Sequence, residues 1–151
     1  MDINVYGAVR CVKMFAPQMI DSGGGQIMLV ASIAGLLGVG PHASAYAASK
    51  HALVGYGDAV REFLFPHGIN VSIICPGPVP TNIATNIRTI DSPDSYAGGD
   101  PRESITPEVI AKRVIREGIE KRMPYVITHP EDRARLEKRA NLLDQACQQH
   151  H

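Results

Sequence analysis

The sequence predicts an α/β protein built on a small parallel sheet with helices on its faces. Its strand-like runs are short and apolar nearly throughout, where an antiparallel sheet with one wet face would alternate. Helical segments lie between those runs. Turn-forming residues mark the junctions at Asp21-Ser-Gly-Gly-Gly25 and Pro66-His67-Gly68.

In chain order, residues 2–20 read as a helix that ends at the glycine turn. The first strand is Gln26-Ile-Met-Leu-Val-Ala31. An alanine-rich helix over 44–66 precedes the second strand, Asn70-Val-Ser-Ile-Ile-Cys75. An irregular stretch from Pro76 to Pro101 follows, and the span 76–105 is long enough to be either a functional lid or a mobile segment. Thr106-Pro107-Glu108 opens a third helix with an N-cap and a proline in the first turn. The pairs Glu108/Lys112, Arg113/Glu117 and Glu117/Lys121 stand at helical i,i+4 spacing within it. Tyr125-Val-Ile-Thr128 is the third strand, and a polar helix over about 131–147 closes the chain. Strands that alternate with helices imply parallel pairing through right-handed crossovers.

Composition narrows the function. The 151 residues suit one domain, with 44% hydrophobic and 20% charged residues in ordinary globular balance. Fifteen basic residues cancel fifteen acidic ones, which argues against nucleic acid or an anionic membrane as partner. No apolar run approaches the roughly 20 residues of a membrane span. The start, MDINVYGAVR, lacks the basic-then-apolar order of a secretory signal, so a cytoplasmic protein is expected. Cys11, Cys75 and Cys147 are far apart and show no CxxC spacing, as expected of small thiols rather than a disulfide framework or zinc site. His42, His51, His67 and His129 show no metal-ligand spacing, and His150 and His151 read as tail residues. Only 12 charged residues fall in 1–100 but 18 in 101–151, which places the core early and solvated helix surface late.

The chemistry gathers around Tyr46-Ala-Ala-Ser-Lys50. On a helix the tyrosine and lysine share one face, about one turn apart. A phenol with a pKa of about 10 is a poor base at neutral pH, and a neighbouring ammonium favours its phenolate. Tyr-x-x-x-Lys alone arises often by chance. Ser32, however, stands just past the carboxyl end of the first strand, where ligands meet a parallel sheet. Its hydroxyl could bond the oxygen of a substrate, or simply serve its own backbone. The second strand ends in the stiff loop Pro76-Gly-Pro-Val-Pro-Thr81 at the same edge.

Four separated motifs therefore occur in one order: Asn4 in Asp-Ile-Asn-Val-Tyr-Gly, Ser32 in Ser-x-x-Gly, Tyr46 with Lys50, and Pro76, Gly77, Val79 and Thr81 in Pro-Gly-x-Val-x-Thr. Together they resemble the short-chain dehydrogenase/reductase family, over residues 1 to about 130. The resemblance implies a Rossmann-like fold and an NAD- or NADP-dependent oxidoreductase that interconverts an alcohol and a carbonyl. Tyr46 would be the general acid/base, and Ser32 would orient the reacting oxygen. Lys50 would lower the tyrosine pKa and bond the nicotinamide ribose, and Asn4 would hold a water that relays protons from Lys50. Pro76, Gly77, Val79 and especially Thr81 would hold the nicotinamide carboxamide.

The family's amino-terminal TGxxxGxG turn and its NAG motif do not occur in this sequence. Gly35-Leu-Leu-Gly38-Val-Gly40 has the wrong spacing and lies in the catalytic-serine loop, and Gly23-Gly24-Gly25 runs into a strand rather than a helix. The chain thus resembles the carboxyl-terminal half of the doubly wound fold: residues 1–130 as its catalytic half, then a polar helix and tail over 131–151. Its first strand would show an unpaired edge. The residues that choose between NAD and NADP belong to the part not represented. Leu36, Leu37, Val39, Ile83 and Ile87 suggest an apolar border for a small-molecule alcohol or ketone. Helices 2–20 and 44–66 resemble the family's oligomer interface, with Ala45, Ala47, Ala48, Ala52, Gly55 and Gly57 permitting close approach. A homodimer or homotetramer is expected, and a non-catalytic dimerising module is the alternative reading.

Overall fold

The computed structural model describes residues 1–40, 43–80 and 105–148. After a π-helical turn at Asp2–Tyr6, helix α1 spans Gly7–Asp21 and strand β1 Gly25–Val30. Helix α2 spans Ser44–Leu64 and strand β2 Ile69–Cys75. Helix α3, Pro107–Val114, continues as a π-helical segment Ile115–Glu120 into strand β3, Tyr125–Ile127, and helix α4 is Arg133–Gln148. The strands form one parallel sheet in the order β1-β2-β3, with Gly25 opposite Ile69, Val30 opposite Ile74 and Ile73 opposite Tyr125. The expected Rossmann-like layering of helices on a parallel sheet is therefore present.

The end of the second helix departs from the sequence reading for a local reason. The second helix leaves α geometry at Leu64, and a 3₁₀ turn Phe65–His67 replaces its last residues. Pro66 has no N–H and disfavours α geometry at the residue before it, so the helix closes there. Thr106 does cap α3 with Pro107 in its first turn, but its side chain makes no capping hydrogen bond to the helix N–H groups.

Alternation along the strands separates two faces. Leu29, Val71, Ile73 and Cys75 point to one side and pack with Val12 and Ala16 of α1 and Leu53, Val54 and Leu64 of α2. On the other side, a Cβ placed on Gly118 would meet Ile74 and Val126 at 3.6 Å, so the π-helical segment lies directly on β2 and β3. Ser72, fully buried there, accepts from Gln26 Nε2 at 2.8 Å and donates to the Met123 carbonyl at 2.6 Å. Both of its roles are filled, which removes the cost of burying a hydroxyl.

The late, charged third is mostly surface, as expected: α4 has no buried residue. It nevertheless contributes Val126, Thr128, His129 and Asp132 to the interior. Tyr125 donates to Asp58 on α2, which also accepts from Arg61 at 2.6 Å, and Arg61 stacks on the Tyr125 ring 5.2 Å from its centroid. These contacts anchor the short β3. No helix among the described residues is long and apolar enough to cross a membrane.

Candidate active site

β1 and β2 run side by side, so their carboxyl ends bring two loops together. The first enters a 3₁₀ turn, Ile33–Gly35, capped by Ser32. The Ile33 N–H donates to the Pro76 carbonyl at 2.8 Å, stitching this loop to the one after β2. Ser32 Oγ accepts from the Ala34 N–H at 3.1 Å and lies 3.5 Å from the Pro76 carbonyl, the outer limit of a hydrogen bond. The hydroxyl thus holds its own turn while sitting at the strand end. Gly35 explains the spacing of Ser-x-x-Gly: a Cβ there would fall 2.7 Å from the Lys50 carbonyl, so only glycine lets the turn rest on α2. Leu37 is buried and Leu36 packs on the core, turning this loop's leucines inward rather than toward a substrate border.

Tyr46 and Lys50 occupy the first turns of α2. Lys50 Nζ lies 5.7 Å from the Tyr46 ring centroid and donates to the Val30 carbonyl at 3.1 Å. That bond uses one of three ammonium donors and aims the group at the end of β1. Burial lowers the Lys50 pKa from its ordinary value, against a smaller opposing effect of Cys75. Beneath it, burial pushes the Cys75 thiol up to about 11, with the Ser32 backbone and Lys50 pulling the other way. Cys75 is therefore a protonated core thiol, and Cys11 and Cys147 are exposed free thiols. Tyr46 is 39% exposed, so its ring has an open side.

Asn4 reaches the same helix by a route the spacing did not suggest. Its Nδ2 donates to Ser49 Oγ at 3.1 Å, and Ser49 donates to the Tyr46 carbonyl at 2.7 Å. Asn4 is thus joined to the residue before Lys50, and both Asn4 and Lys50 line a groove of about 550 Å³ along the free edge of β1. Gly57, grouped with the small interface residues, instead faces the sheet, where a Cβ would lie 2.8 Å from Ile73. Ala45, Ala48 and Gly55 are exposed.

Residues 76–80 form the described part of the loop after β2; residues 81–104 of the 76–105 span, Thr81, Ile83 and Ile87 among them, lie outside the described residues. Fully buried His129 packs beneath this loop. The Gly77 N–H donates to His129 Nδ1 at 3.0 Å, and His129 Nε2 lies 2.9 Å from the Pro78 carbonyl. Thr128 and Arg113 complete the contact, with Arg113 donating to the Thr128 carbonyl. Sequence reading passed over His129 and Ser49, because a lone histidine after a strand and a serine inside a helix carry no spacing signal.

The sequence profile described as short chain dehydrogenase matches residues 1–91. A relative named dehydrogenase/reductase SDR family member 7B, from Xenopus tropicalis, is 34% identical over 128 residues, covering 84% of this chain and 41% of its own length. Uncharacterized oxidoreductase YbbO of Escherichia coli is 36% identical over 113 residues, covering 74% of this chain and 42% of that protein. A solved short chain dehydrogenase/reductase from Burkholderia phymatum, in complex with NAD, superposes with a TM-score of 0.81 at 27% identity, over 95% of this chain and 57% of that one. The chain spans about two fifths of the length of these curated relatives. With the profile covering more than half of its residues, the chain belongs to the short-chain dehydrogenase/reductase family.

Proposed function

We propose that this chain carries the reacting half of an NAD- or NADP-dependent oxidoreductase that interconverts a small-molecule alcohol and a carbonyl. The observation that carries the reading is the Tyr46–Lys50 pair, fixed by the Lys50–Val30 bond at the sheet edge where Ser32 and the Pro76 loop meet. The donor set suits the nicotinamide end of such a cofactor: an ammonium for ribose hydroxyls beside a proline-rich loop for the ring amide. A bound nicotinamide cofactor supplies or accepts the hydride. Tyr46 Oη gives its proton to the substrate oxygen in reduction and takes it back in oxidation. Lys50 holds positive charge near the phenol, which favours the state that has released its proton. Ser32 Oγ orients the substrate oxygen, turning from its capping contact to do so. Asn4, through Ser49, steadies the first turns of α2 and faces the groove from which a water would exchange protons with Lys50.

In a preparation that contains this chain and turns over substrate, Tyr46→Phe is expected to lower kcat by about a hundredfold or more. Binding of reduced cofactor, followed by its fluorescence, should persist. Turnover within about twofold of wild type sinks the acid/base assignment.

The exposed Ala45, Ala48 and Gly55 on α2, together with exposed Met14 on α1 and Phe63 on α2, favour a second reading. In it the chain is a non-catalytic module that dimerises through α1 and α2. Absence of cofactor binding at millimolar concentration, together with a dimer in sedimentation, selects this reading over the first.

A further inference from the structure

The loop after β2 is poorly equipped to hold itself. Pro76, Pro78 and Pro80 have no N–H, so of residues 76–80 only Gly77 and Val79 carry a backbone donor. His129 Nδ1, at 3.0 Å, and Thr128 Oγ1, at 3.3 Å, share the first of these. A backbone N–H can only donate and a carbonyl can only accept. His129 Nδ1, 3.0 Å from the Gly77 nitrogen, must therefore present its lone pair, and Nε2, 2.9 Å from the Pro78 oxygen, must carry the hydrogen. These two contacts correspond to the Nε2–H tautomer. The Thr128 hydroxyl lies 2.7 Å from Nδ1 and also accepts from the Gly77 N–H at 3.3 Å, so it shares this cluster. Contact is steric as well as polar, since a Cβ on Gly77 would fall 2.6 Å from His129 Cγ. Arg113 of α3 holds the carbonyl of the preceding residue, so the ring is set from a third element.

We propose that His129 is a positioning residue: a two-point clip that fixes the Pro76–Pro80 backbone at the place where the nicotinamide end of the cofactor meets it. The proposal rests on the reading of that loop given above. His129 acts through Gly77 and Pro78, and it makes the site depend on the end of β3.

The test combines nitrogen-resolved NMR with cofactor titration on the whole chain. In wild type, the two-bond proton–nitrogen correlations of His129 should show the Nε2–H tautomer. His129→Leu should move the Gly77 amide while the amides of Leu29 and Ile73 stay in place. It should also weaken reduced NAD or NADP binding about tenfold, or about 1.4 kcal/mol. His129→Asn, which retains an acceptor for Gly77, should recover part of that loss. An Nδ1–H tautomer or an imidazolium at neutral pH overturns the proposal, and this measurement needs no variant to fold. Unchanged cofactor affinity in a folded His129→Leu also overturns it. If wild type binds no cofactor but the tautomer and the Gly77 shift appear, the oxidoreductase reading fails while the clip stands.

Discussion

β1 and β2 are adjacent parallel strands of six and seven residues, both apolar in composition, yet they occupy different surroundings. β2 is paired on both edges and covered on both faces; Ile69, Ser72, Ile73 and Cys75 are all at 0% exposure. Among the described residues β1 is paired on one edge only, with Val30 60% and Met28 38% exposed beside the groove along its other side. An apolar run reports the kind of strand a segment can form, and neighbours decide how much of it leaves water. The candidate catalytic residues sit where the two strands end together, so the well-packed strand supports the candidate site while β1 borders it.

Truncation tests this contrast most strongly. Ile73→Ala should cost about 2–5 kcal/mol in urea unfolding, from lost burial plus the cavity left behind. Val30→Ala should stay within about 0.5 kcal/mol, as at other surface positions. Comparable losses at the two sites would dissolve the distinction.

A pH titration sharpens it, because β2 buries a titrating group and β1 contains none. The Cys75 thiol is raised from 9.0 to about 11. The folded chain therefore keeps a proton that the unfolded chain releases, so this contribution is intact below pH 9.0 and fades as pH climbs through about 11. Two pH units correspond to about 2–3 kcal/mol. Lys50 acts oppositely: its lowered pKa penalises the charged form in the fold, and that penalty lifts as pH approaches 10.5. The difference between wild type and Cys75→Ala isolates the thiol. Parallel alkaline limbs for the two proteins would refute its burial.

The smallest effect concerns how the far side of β2 gains its third strand. Tyr125→Phe removes the donor to Asp58 and should cost about 1 kcal/mol, leaving the Arg61–Asp58 pair at 2.6 Å to hold the carboxylate. Native-state hydrogen exchange should locate the loss in β3, with β1 amides unaffected.

Much of the molecule was legible before any coordinates. The strand and helix order follows from local patterns: uniform apolar runs, helical spacing, the glycine turn before β1 and Pro66 after α2. The Tyr46–Lys50 pair was legible for the same reason, since four residues on a helix fix a common face. Gly57 faces Ile73 and Leu29 rather than a partner helix, because its side of α2 depends on where the sheet lies. The Asn4–Ser49 link and the His129 clip join residues 45 and 52 positions apart, and no periodicity carries such a distance.

The sequence by itself determined the element order, the parallel class and the set of candidate reacting groups, because each depends on near neighbours along the chain. The tertiary structure decided that Ser32 caps its turn beside Pro76, that Asn4 meets Ser49, and that His129 lies against Gly77 and Pro78. Those outcomes come from segments distant in sequence competing for the same hydrogen bonds and the same space.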